Sequence, residues 1–303
     1  MTIGVDIGGT KTEAVAIDGN NNVLHTRRIP TRHGNQEVLR TLFEVIEELR
    51  SASSLSRYSV ANLGIGIPGT VDTATGTVSN AVNVRVSNLQ LGLLAHRELG
   101  LKVHIENDVN AAALGSHYLL SPGPDSSGLS SAYLNLGTGL AAGFISNGSL
   151  VRGASGAAGE IGHLPIGLHT DRCPCGQTGC LEMLASGSGI DRHWDGGGPW
   201  PAVSLFEKAL TGHPQARVIQ NRFFQAAAAA IRILGLTYDP TTVYIGGGLN
   251  ALGQPLLSGL RQELVRAEMQ SPFLAGLALG QRIRLVPPGL PIGAVGAAIS
   301  AAT

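Results

Sequence analysis

The sequence predicts a layered α/β protein built on a duplicated plan, and two observations carry that prediction. Short apolar runs of strand character alternate with longer segments whose apolar residues recur at helical spacing, the pattern of sheets covered by helices. A unit of strand, glycine turn and returning strand also occurs twice, at Val5 to Asp18 and at Ala132 to Ser146. The 303 residues suffice for two domains of ordinary size.

Thr2 to Asp6 is a short apolar strand ending in an acid, Ile7 to Lys11 the turn, and Glu13 to Asp18 the returning strand, with Asn20 to Asn22 turning again. Asn35 is placed to cap a helix through about Arg50, with Val38, Leu39, Leu42, Phe43, Ile46 and Leu49 on one stripe. Leu63 to Ile67 and Val103 to Ile105 read as buried strands, the second running into Glu106-Asn107-Asp108 and an Ala-rich helix from Val109 to about Tyr118. Pro122 to Ser127 is a loop and a candidate domain junction. The pattern then restarts with a strand at Ala132 to Leu136, a turn at Gly137-Thr138-Gly139 and a strand at Ala141 to Ser146. After a cysteine-bearing loop comes a glycine-rich stretch, Asp195 to Trp200, and a long helix from Pro214 to Leu236, with Val218, Ile219, Phe223, Ala227 and Ile231 at helical spacing. Val243 to Ile245 is a buried strand into Gly246-Gly247-Gly248, Leu256 to Arg266 an amphipathic helix, Arg282 to Val286 a last strand and Gly293 to Ala302 a small-residue helix.

Composition narrows the function. Hydrophobic residues at 43% and charged residues at 14% fit a folded chain rather than a disordered one. Lys+Arg and Asp+Glu both number 21, so no bulk charge argues for nucleic acid or an anionic membrane surface. The start, MTIGVDIGG, has neither a basic region nor a long apolar stretch, and the Arg-interrupted run from Ala226 is too short to span a bilayer, so the cytoplasm is the expected location.

Gly159 to Glu182 holds all 3 cysteines, with His163 ahead of them. Cys173 and Cys175 flank one proline, and Cys180 follows a Gly-Gln-Thr-Gly turn. Three thiolates and an imidazole form a closed tetrahedral set of the kind zinc uses structurally, whereas three unrelated buried thiols would need no such spacing. An odd cysteine count argues against a disulfide framework. Glu160 and Glu182 flank this knuckle and come near each other if a metal folds the loop.

Glycine turns can present successive N–H groups to an anion. Gly8-Gly9-Thr10 and Gly137-Thr138-Gly139 both fit, each with a hydroxyl that can donate to phosphate, although either alone is also a plain hairpin turn. Gly246-Gly247-Gly248 after a third strand tilts the set toward a nucleotide, and Asp6 stands where a carboxylate could hold Mg²⁺ through water. Gly64-x-Gly66-x-x-Gly69 matches the dinucleotide fingerprint in letters, but Pro68 and a turn-rich segment follow where a helix is needed, which argues against NAD. No P-loop run occurs. Glu106-Asn107-Asp108 is either an N-cap or the site of an aspartate that accepts an alcohol's proton during phosphoryl transfer. Asn83, Glu160, His163 and Glu182 are locally ordinary polar residues.

With these motifs in order, the chain resembles the ROK family of bacterial sugar kinases, within the actin-like ATPase superfamily. The resemblance runs the full length: DIGGTK (Asp6 to Lys11), GIGIPG (Gly64 to Gly69), ENDVNAAA (Glu106 to Ala113), LGTG (Leu136 to Gly139), GEIGH (Gly159 to His163), CPCGQTGCLE (Cys173 to Glu182) and DPTTVYIGGG (Asp239 to Gly248). It implies a duplicated actin-like ATPase (ribonuclease H-like) fold of two lobes with a cleft between them. Residues 1–115 with 290–303 would form a small N-terminal lobe, and 116–289 a larger one with the knuckle and nucleoside site. Asp108 matches the family's catalytic base, which deprotonates a sugar 6-hydroxyl for attack on the γ-phosphate of ATP. Asn83, Asn107, Glu160, His163 and Glu182 match residues that hold the sugar. Asp6, Gly8, Gly9, Thr10 and Lys11 with Gly137, Thr138 and Gly139 match the phosphate turns, and Gly247 the nucleoside site. His163, Cys173, Cys175 and Cys180 match the ligands of one structural zinc per chain, and Mg²⁺ is expected with ATP.

Departures bear on the substrate. The family's LGTGxGGG is LGTGLAAG here, so the methyl groups of Ala141 and Ala142 are expected to tighten the nucleotide side. The segment after Asn83 lacks the aromatic residue that similar glucokinases often carry, and Glu160 stands where N-acetylmannosamine kinases tend to have histidine. Glucose is the leading sugar, N-acetylglucosamine the alternative, with mannose and fructose behind them. The ROK repressors carry an N-terminal winged helix-turn-helix, for which a DIGGT motif at Asp6 is expected to leave no room. The resemblance further implies a homodimer or tetramer with no nucleic-acid or membrane partner.

Overall fold

The computed structural model describes residues 1–121, 128–167 and 169–302, so the expected junction at Pro122 to Ser127 lies outside the described residues. In chain order the elements are β1 (Thr2–Ile7), β2 (Lys11–Ile17), β3 (Val23–Pro30), α1 (Asn35–Arg50), β4 (Asn62–Ile67), β5 (Thr70–Asp72), β6 (Thr77–Ser79), α2 (Leu91–Leu99), β7 (Lys102–Asn107) and α3 (Asp108–Leu120). Then follow β8 (Ser131–Leu136), β9 (Leu140–Ser146), β10 (Ser149–Val151), α4 (Gly187–His193), α5 (Pro201–Leu210) and α6 (Pro214–Tyr238). The last are β11 (Thr242–Gly246), α7 (Gln254–Gln270), α8 (Pro272–Leu277), α9 (Leu279–Arg282), β12 (Ile283–Leu285) and α10 (Ile292–Ala302).

Two five-stranded sheets form, with orders β3-β2-β1-β4-β7 and β10-β9-β8-β11-β12. In the first, β1 pairs antiparallel with β2 and parallel with β4, and β4 pairs parallel with β7. In the second, β8 pairs parallel with β11 and β11 parallel with β12, while β9 and β10 form an antiparallel hairpin. The recurring hairpin is therefore the visible part of a repeated five-strand plan. The chain divides into two compact units, Met1–Gly128 with Gly143–Ala158 and Gly289–Thr303, and Leu129–Ala142 with Gly159–Pro288.

In the first unit the strand alternation decides which helix covers which face. Ile3, Val5 and Ile7 of β1 join Leu63, Ile65 and Ile67 of β4 and the α1 stripe Val38, Leu42, Val45, Ile46 and Leu49 in one core. The other face is glycine-lined because α10 lies directly on it. A Cβ on Gly4 would stand 1.9 Å from the Ala294 carbonyl oxygen, and one on Gly64 1.7 Å from that of Ala297. Helix α10 also crosses α3 closely, since a Cβ on Gly296 would meet the Ala111 carbonyl at 1.7 Å and one on Gly115 the Ile292 carbonyl at 1.9 Å. Gly64 and Gly66 of the false dinucleotide fingerprint are thus packing glycines, and Gly69 is a turn residue with φ +97°. The segment after it, read as turn-rich, is the β5–β6 hairpin.

In the second unit α6 runs 25 residues and buries Ala226 to Ala230 along with Phe223 and Ile231. Phe206, Phe223 and Phe224 meet edge to face with centroids 5.4 to 6.0 Å apart. Val218, expected on the apolar stripe, is instead exposed. Among the described residues no helix is long and apolar enough to cross a membrane.

Candidate active site and metal centre

The carboxyl ends of β1, β4 and β7 share one edge of the first sheet, where parallel α/β sheets place ligands. Register sets Asp6 beside Gly66 and Ile67 beside Asn107. The turn after β1 closes through Gly8 N–H to the Lys11 carbonyl (3.0 Å), leaving Thr10 and Lys11 exposed. The backbone of Asn83, in the short helical turn Val82–Val84, lies against Gly9, so that a Cβ there would meet Asn83 at 3.4 Å. Asn35 was expected to cap α1, but it is the first helical residue, and its amide instead exchanges two hydrogen bonds with the Ser87 backbone. With Gly34 N–H donating to the Val84 carbonyl (2.8 Å), that clamp fixes the Asn83 loop.

Each residue of Glu106-Asn107-Asp108 has its own task. Asn107 caps α3, its Oδ1 accepting from the N–H groups of Val109 (3.0 Å) and Asn110 (3.2 Å), while its Nδ2 donates to the Gly69 carbonyl (3.1 Å). Glu106 is buried and takes Arg152 Nε and Nη2 on Oε2. Asp108 opens the helix, half-buried, with Oδ1 accepting from Val109 N–H at 3.0 Å. Burial foremost, and then the charges of Asp108 and Glu13, push the Asp6 carboxyl up to about 7. A divalent cation placed at Asp6 would reverse this by favouring the carboxylate.

The turn after β8 is braced more heavily. The Gly137 and Thr138 carbonyls accept from the N–H groups of Gly187 (2.7 Å) and Ser188 (3.1 Å) at the start of α4. Glu182 Oε2 accepts from Leu140 N–H at 2.9 Å and lies 2.5 Å from where a Gly139 Cβ would stand. One oxygen of Glu182, expected to hold sugar, therefore shapes the second glycine turn. Register pairs Gly246 of β11 with Asn135 of β8, and a Cβ on Gly247, at φ +81°, would meet the Leu136 carbonyl carbon at 2.5 Å, so the third glycine turn packs on the end of β8. The Ala141 and Ala142 replacements leave β9 regular, with Ala142 buried and its N–H donating to Gly159. Gly159 must be glycine, as a Cβ would stand 1.8 Å from the Ala142 oxygen.

The knuckle brings its donors together as the spacing predicts. Ligand atoms of His163, Cys173, Cys175 and Cys180 all lie within 4.8 Å of one another. Cys173 Sγ stands 3.7 Å from His163 Nδ1, and Cys175 Sγ 3.7 Å from Cys180 Sγ. Those separations match the edges of a tetrahedron around a metal with ~2.3 Å bonds to sulfur. Burial foremost, then the neighbouring thiols, pushes the Cys180 thiol up to about 12, while hydrogen bonds from Gln177 lower Cys175 to about 6. Buried thiols this crowded resist a second negative charge unless a cation is bound, which fits a metal-binding set. Gly162 places its Cα beside the Glu182 Cβ, so the turns bearing His163 and Glu182 lie side by side, while Glu160 is exposed. His169, Asp171 and His193 buttress the loop, His169 Nε2 meeting the Cys180 carbonyl at 2.9 Å and His193 Nε2 meeting Asp171 Oδ2 at 3.0 Å.

Sequence reasoning missed these buttresses, the Arg152–Glu106 pair, and His33, whose Nε2 meets the Gly9 carbonyl at 2.7 Å. All are long-range contacts of ordinary polar residues, and no local spacing marks them.

The chain is 28% identical to the glucokinase of Halalkalibacterium halodurans over 97% of its own length and 92% of that protein. Among solved structures it is similar to the ROK hexokinase of Thermus thermophilus, with TM-score 0.80 and 29% identity over 99% of this chain and 97% of that one. It is also similar to the ROK glucokinase of Streptomyces griseus in complex with glucose and AMPPNP, with TM-score 0.77 and 28% identity over 99% of each chain. The ROK family pattern matches residues 2–297, and the chain is a member of the ROK family.

Proposed function

We propose that the chain is an ATP-dependent hexose kinase that phosphorylates a sugar 6-hydroxyl, with glucose its leading substrate. The observation that carries this reading is Asp108 at the first turn of α3, on the same sheet edge as Asp6 and the first glycine turn. In the reaction the O6–H proton passes to the Asp108 carboxylate, O6 bonds to the γ-phosphorus, and the bond from that phosphorus to the bridging oxygen breaks to release ADP. The N–H groups and hydroxyls of Gly8, Gly9, Thr10, Gly137, Thr138 and Gly139 hold the phosphates, Lys11 adds charge, and Gly247 lets the nucleoside approach the backbone. Mg²⁺ bound with ATP neutralises phosphate charge, and Asp6 would face it through water. Asn83, Asn107, Glu160, His163 and Glu182 hold the sugar hydroxyls.

The knuckle is read as one structural zinc per chain, since four protein ligands leave no open position for water. With Nδ1 turned toward Cys173, His163 keeps Nε2 for a sugar hydroxyl. The protein is further proposed to work in the cytoplasm as a homodimer or tetramer, which mass measurement in solution checks. An ADP-release assay over glucose, N-acetylglucosamine, N-acetylmannosamine, mannose and fructose, run with ATP and with polyphosphate, identifies sugar and donor. Asp108→Asn is expected to lose at least about 10³-fold in kcat while still binding sugar. Appreciable turnover by that variant removes Asp108 as the base.

A further inference from the structure

Beneath the proposed base lies a charge pair that the phosphotransfer scheme does not use. Glu106, next to last in β7, is 1% exposed. Its Oε1 accepts from Asn107 N–H (3.1 Å) and Asn110 Nδ2 (3.2 Å). Its Oε2 receives two donors of one guanidinium, Arg152 Nε at 2.9 Å and Nη2 at 2.6 Å. Arg152 follows β10, far along the chain, yet belongs to the same compact unit. His104 Nε2 stands 3.7 Å from Oε2, too far to replace the guanidinium as a donor, and Arg152 is thus the cation that compensates a buried carboxylate.

The carboxylate's other oxygen is spent on the residues around the base. Asn107 and Asn110 bracket Asp108 in sequence, Asn107 caps the helix that Asp108 opens, and Asn107 Nδ2 grips the Gly69 carbonyl. Displacing Glu106 therefore removes an anchor of Asn107 and one of Asn110 together. Although burial pushes the Glu106 carboxyl up, His104 and Arg152 leave it lowered, so it remains an acceptor on both oxygens.

We infer that Arg152 is a positioning residue, which acts through Glu106 to hold Asn107 and the first turn of α3 so that Asp108 meets the acceptor hydroxyl. This inference rests on the reading of Asp108 as the base. A displaced base costs chemistry more than nucleotide binding, because only the transition state needs its alignment, and about 1 Å of misplacement costs about 100-fold.

The test compares Arg152→Gln, Arg152→Lys and Asp108→Asn with the parent, by steady-state kinetics in sugar and in ATP and by thermal melting. Arg152→Gln is expected to lower kcat about 10- to 100-fold with the ATP KM within about twofold, and Arg152→Lys, which keeps the charge but loses the fork, to recover most of kcat. A kcat for Arg152→Gln within twofold of the parent overturns the inference, as does a lysine variant that regains the melting temperature but none of the kcat. If Arg152→Gln does not fold, Arg152→Lys carries the test, with a few-fold loss of kcat expected and an unaltered kcat overturning it. Turnover by Asp108→Asn would instead overturn the base assignment, whatever the arginine variants do.

Discussion

Asp6 faces opposing demands, since it is packed against Gly293 of α10 and yet stands beside the first glycine turn. With its carboxyl moved from 3.8 to about 7, folding costs this group a charge burial that is absent below pH 4 and grows as pH rises to about 7. Above that pH the shift corresponds to up to about 4 kcal/mol. Asp6→Asn is therefore expected to melt higher than the parent at pH 8 and near it at pH 4, while losing kinase activity; equal melting at both values would contradict the shift. Cys175 is the exposed member of the knuckle, and its replacement by serine is expected to abolish stoichiometric zinc in metal analysis and to lower the melting temperature. At this scale the sequence was legible where donors follow local spacing, as in CPCGQTGC, whose thiols the fold brings together with His163. It was silent on Arg152 and His33, whose partners are decided only by tertiary packing.

Among the elements, the glycines of β4 show why a motif needs its context. Gly64 and Gly66 read as nucleotide glycines by letter, yet Gly64 makes room for the α10 backbone and Gly66 for the methyls of Ala111 and Ala297. The same need explains the small-residue composition of α10. Gly296→Ala is expected to destabilise the protein by about 1–3 kcal/mol in denaturant unfolding, because its methyl would collide with the Ala111 carbonyl of α3. An unchanged unfolding midpoint would mean that the crossing of α3 and α10 is looser than described. Long periodic elements such as α1 and α6 were legible from the apolar stripe alone. Strand β3 was not, because as an edge strand it is mostly exposed and its arginines pair with Glu13 and Glu48 instead of alternating with apolar residues.

At the level of the whole molecule, the duplication was legible because each sheet begins with the same strand, glycine turn and strand. Strands β4, β7, β11 and β12 pair in parallel across long helical insertions, so their pairing leaves no local trace. Helix α10 follows β12 of the second sheet and yet completes the core of the first unit against β1, β4 and α3. Deleting residues 289–303 is accordingly expected to cut the soluble yield sharply, whereas a comparable deletion in an exposed loop would not. The same arrangement sets a timetable for biosynthesis. On the ribosome, the earliest strands emerge with one face uncovered and stay so until the whole of the other unit has been translated. Until then the nascent chain must be sheltered, by the exit tunnel's surroundings or by a holding chaperone, and a slow stretch of translation before Ile292 would lengthen its exposure to aggregation.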